Sequence, residues 1–255
     1  MSKSSDPQTS HAQISEVTAA VLIIGDEILS GRTKDKNLGT IADMLTEIGV
    51  DLREVRIVPD VKAEIVAAVN ALRARYTYLF TSGGIGPTHD DITADSVAEA
   101  FGVGIDVDPR ARAMLLERHR PEDLNAARLR MARIPDGADL IANPVSKAPG
   151  FRIGNVYVMA GVPQIMGAML DEIRPTLTSN APVISETIEA GAIPEGNFAG
   201  GLTEIAAAHG SVSIGSYPSI TPEGFRNRIV VRGRDADAVA AARAAVEALL
   251  AGLRA

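Results

Sequence analysis

Three glycines and two adjacent aspartates crowd into the segment Thr81-Ser82-Gly83-Gly84-Ile85-Gly86-Pro87-Thr88-His89-Asp90-Asp91-Ile92-Thr93. An apolar run at 76–80 leads into it, and a helix-like stretch at 94–101 leads out. A strand that turns through glycines into a helix start suits an anion. The glycines let a ligand approach the backbone N–H groups, and the helix start adds partial positive charge. Asp90 and Asp91 would repel a bare phosphate, so the chemistry asks for a divalent cation between carboxylates and phosphate. The segment therefore predicts a nucleotide or phosphorylated-cofactor site, with Thr81, Ser82, Gly83, Gly84, Gly86 and Thr88 as its ligand contacts.

Two further acidic clusters end predicted strands: Gly25-Asp26-Glu27 and Pro59-Asp60. In an open α/β sheet, ligands bind beyond the carboxyl ends of the strands, where strand order reverses. Carboxylates on neighbouring loops can then meet at one centre, and Asp26, Glu27, Asp90 and Asp91 are the expected metal ligands. Oxygen donors suit magnesium, or a transition ion such as cobalt, sharing the substrate phosphates. Each cluster also has a plainer reading. The glycines can form a simple turn, Asp91 or Thr93 can cap the next helix, and Asp60 can cap the helix after it. Gly25-Asp26-Glu27 by itself is equally an exposed strand end, and His89 reads as a bystander.

Elsewhere the residues are less specific. Seven arginines between 109 and 133 fit either a lid over a diphosphate or a solvated helix face, and the face is favoured for most of them. Residues 143–150, Asn143-Pro144-Val145-Ser146-Lys147-Ala148-Pro149-Gly150, read as a long turn without regular structure. Lys147 is its one cation and is available to a phosphate, or to solvent. Tyr217, after Gly215-Ser216, reads as a half-buried turn residue in preference to a ring-stacking one.

These residues need a scaffold, and the hydrophobic pattern supplies one. A continuous apolar run at 18–24 reads as a strand buried on both faces. Leu38, Ile41, Ala42, Leu45 and Ile48 recur at helical spacing, with Gly49 closing that helix. A strand at 50–58, a helix carrying Ile65, Ala68, Val69 and Leu72, and the strand at 76–80 follow. Strands alternating with helices indicate βαβ units and a mostly parallel sheet. Helices are predicted again near 92–101, 109–119 and 122–131, then a strand at 156–160 and a helix through Met166, Met169 and Ile173. A first domain over 18–177 results. After a linker-like 178–182, a small α+β domain over 183–255 is predicted from strands at 183–189, 211–216 and 226–232 and helices at 195–208 and 235–253. Residues 1–17 are polar, lack the apolar core of a signal peptide, and read as a disordered tail.

The chain has 255 residues, 46% apolar and 22% charged, enough for one large or two unequal domains. A net charge of −7 argues against a general nucleic-acid surface. The absence of cysteine excludes disulfides, a thiolate nucleophile and thiolate-bound zinc. No run approaches the roughly 20 apolar residues of a membrane span, so a cytoplasmic protein without membrane or nucleic-acid partners is expected.

Four stretches in order resemble the molybdopterin-binding superfamily, which includes the MoaB/MogA-type enzymes of molybdenum-cofactor synthesis. They are Gly25-Asp26-Glu27-Ile28-Leu29-Ser30-Gly31 with Asn37, then Val58-Pro59-Asp60, then 81–93, and finally 143–150 with Gly161-Val162-Pro163. The likeness is nearest to the N-terminal domain of CinA-type competence/damage-inducible proteins and spans about 18–175. The small domain, with Gly215-Ser216-Tyr217-Pro218, resembles that family's second unit. The resemblance implies a three-layer α/β sandwich, a phosphate-bearing ligand over the glycine loop, and Asp60 and Asp91 at the reacting centre. Asn37, Asn143 and Lys147 join the ligand-binding set.

CinA-like domains are associated with metal-dependent hydrolysis of dinucleotide pyrophosphates such as ADP-ribose, and related domains of FAD synthases with FAD hydrolysis. The expected function is thus a metal-dependent nucleotide pyrophosphatase, forming a homo-oligomer as relatives do. Molybdopterin binding or adenylyl transfer is the alternative, and a non-catalytic nucleotide-binding module the third reading. The chain is too short to contain the nicotinamide-nucleotide amidase domain of full-length CinA proteins, so no deamidation is expected. Ser82 and Ile85 stand where relatives commonly have Thr, and Lys147 where they have a small or hydroxyl residue.

Overall fold

The computed structural model describes residues 16–222 and 224–254, so all but the last two residues of the expected tail lie outside the described residues. The chain divides into two compact units between Asn180 and Ala181. In the first, β1 (Thr18–Ile24) is followed by a single helical turn, α1 (Asp26–Leu29), then α2 (Asn37–Glu47) and β2 (Asp51–Val58). Helix α3 (Lys62–Arg75), β3 (Tyr78–Ser82) and α4 (Thr93–Phe101) come next. Shorter pieces follow: β4 (Ile105–Val107), α5 (Pro109–Leu116), α6 (Ala126–Arg130), β5 (Arg133–Pro135) and β6 (Asp139–Ile141). The unit closes with β7 (Gly150–Ile153), β8 (Val156–Met159) and α7 (Pro163–Ile173).

Six strands form one sheet in the order β2-β1-β3-β8-β7-β6. The first four run parallel, while β7 is antiparallel to both β8 and β6. Alternate residues of β1 face opposite layers. Ala20, Leu22 and Ile24 pack in a cluster with Ile65, Val69 and Leu72 of α3 and Val97 of α4. Ala19, Val21 and Ile23 pack with Ile41 and Leu45 of α2 and Met166 and Leu170 of α7. Both faces are covered, which is why this strand reads as an unbroken apolar run. The result is the expected α/β three-layer arrangement. Full burial of each such Leu or Ile contributes about 1.5–3 kcal/mol, so the layers themselves hold the strand ends in place.

Several boundaries differ from the sequence reading. β3 continues through Thr81 and Ser82, which the reading placed in the loop. The helix expected at 109–119 is capped by Asp108, whose Oδ1 accepts the amides of Arg110 (2.7 Å) and Ala111 (3.3 Å), and ends at Leu116. The helix expected at 122–131 is interrupted: Asn125 Oδ1 accepts the Arg128 amide at 3.0 Å and starts the short α6 afresh. Strands β4 to β7 were not read, because three or four residues show too little alternation to count as a period.

The second unit contains β9 (Ile184–Gly191), α8 (Glu195–Ala208), β10 (Ser213–Thr221), β11 (Gly224–Gly233) and α9 (Ala236–Arg254). Its antiparallel sheet, in the order β10-β11-β9, packs Ile188, Ile229 and Val231 against Phe198 of α8 and Val239, Val246 and Leu250 of α9. Tyr217 is 47% exposed on β10, more open than the half-buried turn residue expected. Among the described residues, no helix is long and apolar enough to cross a membrane.

Candidate functional site

Strand register collects the site. Ile24 lies opposite Val58, Ile23 opposite Ser82, and Ser82 opposite Met159, so four parallel strands end at one edge. β2 flanks β1 on one side and β3 on the other, making the β1/β3 gap the switch point of the sheet. Gly25, Asp60, Gly83 and Gly161 all follow from those four ends.

The glycine loop is fixed at both ends and open between them. Gly83, at φ 111°, passes so close to β1 that a Cβ would sit 2.2 Å from the Ile24 carbonyl oxygen. Gly84, at φ 68°, lies against Thr93, where a Cβ would meet Oγ1 at 2.1 Å. The Gly83 amide donates to Met159 O at 3.2 Å. Thr93, fully buried, returns its hydroxyl to Gly83 O and its amide to Gly84 O, each at 3.0 Å. Between these anchors, the amides of Gly84, Ile85 and Gly86 have no acceptor among the described residues. Thr93 therefore ties the loop and does not cap α4, whose N-cap is Ile92.

A cleft of about 540 Å³ opens beside these amides. Ile85 and Met131 border it, as do Val162 and Ile165, while Glu27 and Asp91 supply its carboxylates. Volume and apolar walls of this kind fit a small-molecule ligand.

The acids occupy two positions. Asp60 Oδ2 accepts the Asp26 amide at 3.0 Å, linking the ends of β1 and β2; it makes no cap on α3. Burial pushes the Asp60 carboxyl above its ordinary value, and repulsion from Asp26, Glu27 and Asp90 adds to the rise against that one amide bond. Asp91 Oδ2 accepts the Thr88 amide at 2.8 Å and the Thr88 hydroxyl. The nearby Thr88 hydroxyl, the Asp90 backbone and the charges of His89 and Arg130 together hold the Asp90 carboxyl below its ordinary value. His89 is almost fully exposed, with nothing to orient it beyond a 3.9 Å approach to Asp90.

Among the described residues, no three His, Asp or Glu side chains stand close enough to share one ion. The expected set of Asp26, Glu27, Asp90 and Asp91 is thus not a preformed cage, because Asp91 is engaged within its own loop. The donor chemistry still fits a hard divalent ion. Magnesium characteristically takes one or two carboxylates and leaves its other positions to water and phosphate. The mutual repulsion around Asp60 is what such a charge relieves.

Burial and bonding set the expected contacts in different places. Thr81 is fully buried beneath the loop, whereas Ser82, 2% exposed, borders with Asn37 a smaller cavity of about 70 Å³ that also touches Glu27, Gly83 and Gly161. Asn37, also buried, donates Nδ2 to Ser82 Oγ and Gly161 O, each at 2.7 Å; it braces two strand ends together. Lys147, at φ 65°, reaches Glu117 at 2.6 Å, away from the loop amides. Asn143 does border the cleft, but its side chain is committed to residues 145–148.

The sequence reading missed other contributors. Arg130 donates Nη2 to Asp91 O at 3.0 Å from 39 positions away, and Met131 beside it reaches the cleft. No local pattern separates Arg130 from its six neighbours. Val162, quoted above only as part of Gly161-Val162-Pro163, is an apolar residue 56% exposed at the cleft rim.

Known proteins match both units. Residues 20–179 match the family described as "Probable molybdopterin binding domain", and 182–254 match "FAD synthase, middle domain". A protein of Aeropyrum pernix is 34% identical over 78% of this chain and 78% of its own length. A "Probable FAD synthase" of Caenorhabditis elegans is 30% identical over 92% of this chain, which spans only 50% of that protein. A "CinA-like protein" of Citrifermentans bemidjiense is 38% identical over 70% of this chain and 48% of its own length. Among solved structures, CinA of Thermoplasma acidophilum, titled as of unknown function, superposes with a TM-score of 0.60 at 35% identity. It covers 63% of this chain and 98% of its own. A glycine loop with free amides at the switch point of a three-layer sheet, and a matching family profile over most of the chain, lead to one assignment: this chain belongs to the molybdopterin-binding domain family, in its CinA-like branch.

Proposed function

We propose that the first unit is a divalent-metal-dependent pyrophosphatase that binds a dinucleotide such as ADP-ribose or FAD in the cleft. The observation that carries this reading is the row of three unpaired amides, Gly84 to Gly86, opening on a cleft that also holds Glu27 and Asp91. Those amides take phosphate oxygens, and the loop pays no reorganisation because both of its ends are already tied. Ile85 and Met131, with Val162 and Ile165, give a heterocycle apolar walls beside the phosphates. Asp26, Glu27, Asp90 and Asp91 are the residues to hold the metal, which supplies Lewis-acid polarisation of a phosphoryl oxygen.

Asp60 orients the attacking water and takes its proton on Oδ1, the oxygen not bonded to the Asp26 amide. A carboxyl raised by burial and by neighbouring acids is better suited to hold that proton than an ordinary aspartate. The relative named as a probable FAD synthase supports a dinucleotide ligand. Hydrolysis of ADP-ribose and FAD, measured across divalent metals, tests the reading. Asp60→Asn and Asp91→Asn should abolish turnover in a folded protein, and a wild-type rate in either removes the assigned roles.

The family match over 20–179 favours a second reading, pterin binding or adenylyl transfer at the same cleft. Tight molybdopterin binding with no pyrophosphate hydrolysis under any metal would select it.

A further inference from the structure

Arg130 stands apart from the other arginines of its segment. Arg110 pairs with Asp108 at 2.7 Å and Arg133 with Asp95 at 2.7 Å, Arg128 donates to Asp123 O, and Arg118 reaches Val145 O in the 143–149 loop. Arg130 instead crosses to the end of the glycine loop. The Asp91 residue it reaches is held from three directions. Its amide donates to Thr88 O at 3.3 Å, its carboxylate accepts from Thr88, and its carbonyl accepts from Arg130. Among the described residues, Arg130 is the one donor to that carbonyl.

The anchoring is costly. Arg130 Nε is buried and has no partner, beside a void of about 10 Å³ bordered by Gly86, Asp91 and Asp95. That space is at the lower limit for one water. A buried donor without an acceptor is uncommon and destabilising, and such groups concentrate where a site demands them. The planar guanidinium lets Nη2 meet the carbonyl while the stem stays under the loop, which a lysine ammonium cannot reproduce.

We propose that Arg130 is a positioning residue of the site: by holding the Asp91 carbonyl it sets where the Asp90–Asp91 pair stands relative to the Gly84–Gly86 amides. Its effect on turnover rests on the pyrophosphatase reading, whereas its effect on the loop does not.

Two measurements on the full chain separate these. Hydrogen exchange at the Thr88 amide reports the bond to Asp91, and steady-state ADP-ribose hydrolysis reports the pair's placement. Arg130→Met should speed Thr88 exchange about tenfold with β1 amides unchanged. It should lower kcat by roughly ten- to a hundredfold while KM stays within about threefold, as expected when a reacting group is displaced. Arg130→Lys, which keeps a donor and the charge, should fall between the two and serves if the Met variant does not fold. Thr88 exchange within twofold of wild type overturns the proposal. So does faster exchange at Thr88 and β1 together, which would make Arg130 a general stabiliser. A wild-type protein that hydrolyses neither ADP-ribose nor FAD removes the pyrophosphatase reading and leaves the exchange result to decide on Arg130.

Discussion

Two loops wall the cleft and treat their backbones differently. After β3, the amides of Gly84, Ile85 and Gly86 donate to nothing among the described residues. In 143–149, every N–H from Val145 to Ala148 finds an acceptor inside the loop. Asn143 Oδ1 takes those of Val145 and Ser146 at 3.1 Å each, Asn143 O takes that of Lys147 at 3.0 Å, and Ser146 Oγ takes that of Ala148 at 3.4 Å. Asn143 Nδ2 closes the ring by donating to Ala148 O at 2.8 Å. A loop that satisfies itself offers a rigid wall and little else. One that is anchored at its ends and unpaired in the middle offers donors at no further cost of ordering. The difference separates a wall from a binding surface within one cleft.

The comparison breaks first at Gly83. Gly83→Ala drives a Cβ into the Ile24 carbonyl at a φ that disfavours side chains, and should cost roughly 3 kcal/mol or more in urea unfolding. Tolerance of that alanine would show that the loop is not pinned to β1. Next comes Asn143→Ala, which strips acceptors from two amides and the donor from Ala148 O. A loss of about 2–3 kcal/mol is expected, with Asn143→Asp milder because its Oδ1 remains. Equal losses in the two variants would mean that the Nδ2 bond, and not the amide ring, holds the wall.

Asp60 gives a smaller and pH-dependent effect. Its folded carboxyl is raised above the ordinary 3.8, so its favourable contribution is present below that pH and is lost as pH rises through the folded value. Asp60→Asn should therefore be more stable relative to wild type at pH 7 than at pH 3.5. A difference independent of pH would contradict the rise that burial, with Asp26, Glu27 and Asp90, gives the Asp60 carboxyl. Smallest of all is Lys147→Gly. It relieves a left-handed backbone and gives up an exposed ion pair with Glu117, so thermal unfolding should shift by less than about 1 kcal/mol. A drop of several degrees would assign the wall to that ion pair.

Much of the scaffold was legible because periodicity survives in long elements. The unbroken run of β1, the Ile41–Leu45 face of α2 and the Ile65–Val69–Leu72 face of α3 each span enough residues to declare a period. β4 to β7 do not, and pairing with their neighbours is what makes them strands at all. In the site, Gly83 and Gly84 were legible because glycine marks a backbone that side chains cannot share. Thr81 was misplaced by the same logic: a hydroxyl residue beside a glycine loop looks like a ligand contact, yet strand pairing with β1 and β8 buries it. Asn37 likewise proved a brace, since its partners lie 45 and 124 positions away.

The sequence by itself determined the family, the βαβ order and the loop that could cradle a phosphate, because these depend on residue types at short spacing. Tertiary structure alone decided which amides stay unpaired, which acids crowd Asp60, and which arginine of seven reaches Asp91. Those outcomes depend on register and on contacts between residues far apart in the chain, where close packing assigns each polar group a partner or leaves it none.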